Sequence, residues 1–174
     1  MKSPVPLGVL SFLCAFTTLA LYDPKPDGAL SAVQGEWKGS LTYRDYSEPH
    51  SLVTLPTRLF VALSAPNELV FSYVFDDGPA KTVFSYEQMN FDFTNHVVTW
   101  TSGTDKKSVS VCRITTNGAA GDTRKLVFER KDGDQTNRFT MELSPRTLKL
   151  DKNEVSPDGA IVFRDKFEFL RPGT

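Results

Sequence analysis

From Gly35 to the end of the chain, apolar and polar residues alternate with a period close to two, the spacing that puts every second side chain on one face of a β-strand. The opening run, 35–46, shows the pattern. Trp37, Gly39, Leu41 and Tyr43 fall on one face, and Lys38, Ser40, Thr42 and Arg44 fall on the other. Comparable runs cover 52–63, 67–75, 81–86, 91–93, 97–101, 107–115, 125–131, 138–143, 147–155 and 160–171, about ten strands with no long helix among them. Turn-forming clusters separate them: Asp76-Asp77-Gly78-Pro79, Thr94-Asn95-His96, Asp132-Gly133-Asp134-Gln135 and Ser156-Pro157-Asp158-Gly159. Pro56 inside the second run predicts an edge, a bend or a bulge there. Short connections throughout favour sequential hairpins. The predicted fold class is therefore all-β, an up-and-down antiparallel β-barrel of about 8–10 strands rather than a Greek-key sandwich.

The first residues follow a different pattern. Met1 and Lys2 precede an apolar stretch over 7–21 interrupted only by Gly8, Ser11, Thr17 and Thr18. That is short for a membrane span but suited to the core of a secretory signal, so a signal peptide is expected over 1–20, with an uncleaved anchor as the alternative. Bulky Phe12 and Leu13 before Cys14 argue against a lipoprotein signal. Residues 21–32, rich in Pro, Gly and polar side chains, are expected to be a leader linker without helix or strand, and 33–174 the barrel domain. Cleavage would leave Cys112 as the one cysteine and no transmembrane segment. An exported protein without a disulfide fits a bacterial periplasm or an extracellular medium.

Gly35, Trp37 and Gly39 form a GxWxG element in the first strand. In this the chain resembles the calycin superfamily, the lipocalin-like and fatty-acid-binding-protein-like barrels. The resemblance implies a Trp that plugs the closed barrel end and a late-strand Arg laid over it, a part that Arg164 or Arg171 would take here. Departures accompany it: no TDY-type motif, no Arg-x-Tyr near the end, Leu41 where nitrobindin-like haem barrels carry a further Gly, and no His after His96.

Charge narrows the partners. A formal net charge of -1, with Lys and Arg scattered, leaves no footprint for nucleic acid. His50 and His96 sit in polar turns, and with one thiol they make a poor metal set; no cofactor is expected. Cys112 lacks a basic neighbour and reads as structural. The aromatic residues are more informative. Phe71 and Tyr73 on one strand, and Phe84 and Tyr86 on the next, are expected to face inward, as core or as cavity lining, with Phe163, Phe167 and Phe169 on the last strand. Arg113 follows Val109 and Val111, Arg130 follows Leu126 and Phe128, and Asp165 falls between Phe163 and Phe167, so these charges keep the inward phase. Buried there, they would need one another or a ligand. The expected function is an exported, non-enzymatic binding protein holding a small hydrophobic or amphipathic molecule. Arg113 or Arg130 would anchor an acidic group, and Tyr43, Tyr73 and Tyr86 would add hydroxyls. The alternative is a packed barrel acting as an interaction or envelope-associated module with no small ligand.

Overall fold

The structure is a computed structural model that describes residues 27–47 and 49–173; the expected signal peptide and residues 21–26 of the expected linker lie outside the described residues. Ten antiparallel strands close into one up-and-down barrel: β1 (Gly35–Arg44), β2 (Leu52–Ala65), β3 (Glu68–Asp76), β4 (Thr82–Asp92), β5 (Val97–Ser102), β6 (Ser108–Ala120), β7 (Thr123–Asp132), β8 (Gln135–Leu143), β9 (Thr147–Val155) and β10 (Ile161–Leu170). Each strand pairs with its neighbours in sequence, and β1 pairs with β10 to close the ring. Among the described residues no edge strand remains, so none of these strands needs protection against pairing with another chain. Pro56 breaks nothing: the β1–β2 register runs through Ser40↔Pro56 without a shift, and the Leu41 amide donates to Thr57 Oγ1 at 3.2 Å.

Two of the predicted strands are one. Runs 81–86 and 91–93 join as the continuous β4, because Glu87 to Asn90 pair with β3 and β5 without interruption. The leader linker also needs correction. Residues Gly28–Ala32 form a short helix, α1, which Asp27 caps by accepting from the Ala29 and Leu30 amides at 3.0 and 3.2 Å. Its apolar residues supply the reason: Ala29, Leu30 and Val33 are buried across one end of the barrel, a burial that composition alone does not reveal.

That end is closed. Trp37 is fully buried, its Nε1 donates to the Val33 carbonyl at 2.8 Å, and the Arg171 guanidinium lies 4.3 Å above its ring centroid. Arg171 also donates to the carbonyls of Pro145, Gln34 and Ala32 at 2.8, 2.9 and 2.6 Å. Arg171, not Arg164, therefore covers the tryptophan. The middle of the barrel is packed by Leu59, Leu69, Phe71, Tyr73, Met89, Phe91, Leu126, Phe128, Met141 and Phe169.

Candidate functional site

The strands leave the packed middle and open at the end opposite α1, where the β1–β2, β5–β6 and β9–β10 connections lie. A cavity of about 480 Å³ occupies this half, within the range of small-molecule sites. Leu41, Trp100, Phe139, Leu150 and Phe167 give it apolar walls, and Tyr43, Arg44, Tyr46, Arg130, Lys152 and Arg164 surround it towards the mouth. Trp100 packs edge-on against Phe139, with centroids 5.0 Å apart, which fixes the indole as part of the wall.

The inner wall carries two acids, Glu87 on β4 and Asp165 on β10. Burial pushes the Glu87 carboxyl up to about 7, and the Asp165 charge adds to this, while Trp100 and Tyr73 act in the opposite sense. Burial likewise raises Asp165 to about 6; Lys152 opposes the shift and Asp151 reinforces it. Trp100 Nε1 is near enough to favour the ionised Glu87, yet neither that nitrogen nor Glu87 Oε2 closes a hydrogen bond of sound geometry. Beneath them Tyr73, 2 % exposed, has its hydroxyl pKa raised well above the usual range by burial, then by Glu87 and Asp165.

Towards the mouth Arg164, Arg130 and Lys152 have acidic or polar neighbours. Arg164 Nη2 pairs with Glu154 Oε2 at 2.5 Å and its guanidinium stands 5.6 Å from the Tyr46 ring centroid. Arg130 donates to Ser110 Oγ and lies 3.8 Å from Asp132. Lys152 stands opposite Asp165 in the β9–β10 register.

The residues singled out from sequence divide into three groups. Tyr43 and Arg130 line the cavity. Phe71 and Tyr73 face inward but belong to the packed core below it. Arg113, Phe84 and Tyr86 are corrections, because all three have the outward phase. On β6 the inward residues are Ser110, Cys112 and Ile114, so Arg113 lies outside with Val109 and Val111, each 62 % exposed. On β4 the inward residues are Glu87, Met89 and Phe91, which leaves Tyr86 outside beside Phe84, 74 % exposed. Apolar residues on the outer face misled the phase in both strands. Phe163 also departs from expectation: the pairing shifts between Phe163 and Asp165, and this bulge lets Arg164 and Asp165 both reach the cavity while Phe163 lines an outer groove with Thr42 and Lys166. Glu87 was missed altogether. Its signal was present, since it precedes Met89 and Phe91 in strict alternation.

Cys112 is buried and its thiol is pushed up by that burial, with Arg130 opposing. Among the described residues no three His, Cys, Asp or Glu side chains are grouped to hold a metal ion, and no helix is long and apolar enough to cross a membrane.

Fold and cavity define the class as a closed, ten-stranded up-and-down β-barrel with one open end. No protein-family model matches the chain, and no curated protein matches it. Solved structures that match include the S-type phycobiliprotein lyase CPES from Guillardia theta, at TM-score 0.54 and 8% identity over 83% of this chain and 91% of that one. A redesigned beta barrel matches at TM-score 0.45 and 13% identity, over 85% of this chain and 98% of the design. Identities this low speak for the fold alone.

Proposed function

We propose that this barrel is a non-enzymatic binding protein of calycin type, which holds one small amphipathic molecule in the half opposite α1. The carrying observation is the asymmetry of the interior: packed and plugged at one end, open over about 480 Å³ at the other. A module that met partners only through its loops would gain nothing from such a void, whose lining forgoes packing contacts. The ligand's apolar body would lie against Trp100, Phe139 and Phe167, and Arg130 at the mouth would meet a polar or acidic end. The same reading takes residues 1–20 as a signal and the protein as exported to the periplasm or the medium. Amino-terminal sequencing of the protein from its own source should then begin near residue 21.

Native mass spectrometry tests carriage. Protein from its own source should carry an extra mass that disappears after denaturation and refolding. Absence of any bound mass would favour the interaction module. The raised carboxyls Glu87 and Asp165 favour one second reading, acid–base chemistry inside the barrel. The released molecule, returned to the protein, should come back unchanged in mass if the barrel only carries it.

A further inference from the structure

Resting on that reading, the charge layout of the cavity indicates which end of a ligand goes in first. We propose that the inner wall formed by Glu87, Asp165 and Trp100 is a subsite for a positively charged nitrogen, so that the cavity takes a cationic amphiphile entering amine first.

The argument begins with what Glu87 lacks. Its neighbours in register are Phe71 on β3 and Ser102 on β5, and among the described residues no ion pair includes it. Asp165 repels its charge, while Tyr73 and Trp100, as hydrogen-bond donors, favour the charge without neutralising it. Asp165 differs, because Lys152 across the strand pair offsets it. Two of the rim cations are engaged elsewhere, Arg164 by Glu154 and Arg130 by Ser110 and Asp132, and among the described residues no ion pair joins Arg44 to Glu87. The inner wall thus holds an acid with no ion-pair partner and a buried, unpartnered oxygen, beside the apolar walls of Leu41, Trp100, Phe139, Leu150 and Phe167. A carboxylate withdrawn from water without a counter-ion is costly, and a ligand cation removes that cost. Trp100 and Phe167 in the same wall supply aromatic rings, which attract a cation most strongly where water is excluded. Once Glu87 is ionised by such a ligand, the Trp100 N–H has a charged acceptor to close upon.

Three ten-carbon probes decide it by calorimetry at pH 8 and pH 5: decylamine, decan-1-ol and decanoate. The amine stays protonated at both values, so its pH dependence reports the protein. Glu87 ionises about pH 7 and Asp165 about pH 6, so amine affinity should be at least ten-fold greater at pH 8 than at pH 5. At pH 8 it should exceed that of the alcohol by a similar factor. Glu87→Gln should remove most of the preference for amine over alcohol at pH 8; Asp165→Asn should reduce it less. Should Glu87→Gln fail to fold, the wild-type comparison of amine with alcohol at two pH values carries the decision. Equal binding of amine and alcohol, tighter binding of decanoate, or indifference of the amine to pH would overturn the inference while leaving the barrel a carrier. If no probe binds but the native protein carries a mass, the inference alone falls. If no probe binds and no mass is carried, the proposed function falls with it.

Discussion

At Gly39 a Cβ would lie 1.9 Å from the Glu168 carbonyl oxygen, so the second glycine of GxWxG is there because two backbones nearly touch. The first, Gly35, turns the chain into β1 at a φ of +117°, a conformation L side chains rarely adopt. Both hold Trp37 where Arg171 can lie over it, and this assigns different consequences to the two arginines considered for that place. Arg171→Ala removes three charge-assisted bonds to carbonyls and a ring contact, and should cost roughly 2–4 kcal/mol in urea unfolding. Arg164→Ala, at the mouth, should cost under about 1 kcal/mol, as partly exposed ion pairs do. Equal losses from the two would show that the closed end does not depend on Arg171.

Among the elements, α1 shows how few residues can seal a barrel. Five residues are too few to hold a helix unaided, so cap and burial sustain it. Asp27 does two things: one oxygen caps the helix, and the other pairs with Arg124 of β7, whose side chain is 9 % exposed and whose guanidinium stands 4.3 Å from the Phe93 ring centroid. Asp27→Ala loses cap and counter-ion together and leaves Arg124 buried without its carboxylate, a loss of roughly 3 kcal/mol or more. Asp27→Asn keeps a capping oxygen and loses only the charge. It should fall between wild type and alanine when the three are compared by urea unfolding, and if it matches alanine the charge accounts for the whole effect. The bulge at Arg164 acts at the same scale, placing an acid and a cation at the cavity from consecutive positions of one strand.

For the whole molecule, the half-open interior ties stability to pH. Glu87 has an ordinary pKa of 4.5 and about 7 in the folded barrel, so the fold binds its proton more tightly than the unfolded chain does. Its contribution is full below about pH 4.5 and is lost as pH rises through 7. Asp165 behaves alike between 3.8 and about 6. Glu87→Gln, neutral at every pH, should therefore gain on wild type as pH rises from 4.5 to 8, by roughly 3 kcal/mol at most. Melting temperatures across that range check this, and a difference independent of pH would mean the carboxyl is solvated. A bound cation should shrink the difference.

Much of the barrel was legible in the sequence, because alternation, short turns and the GxWxG element are local and a strand needs only its own pattern to choose a face. The inward phases of Tyr43, Phe71, Tyr73 and Arg130 were legible for that reason. What failed was phase wherever the outer face also carries apolar residues, as at Phe84 and at Val109 and Val111 beside Arg113, and wherever a bulge resets it, as at Phe163. Two strands that each read either way are resolved only by neighbours that bury one face, and those neighbours arrive with ring closure. The same closure decided that a polar leader segment becomes the plug, that Arg171 rather than Arg164 meets Trp37, and that Glu87 and Asp165, 78 residues apart in sequence, share one cavity wall. Alternation along a strand is a property of the chain; which acids lack a counter-ion is a property of the closed ring.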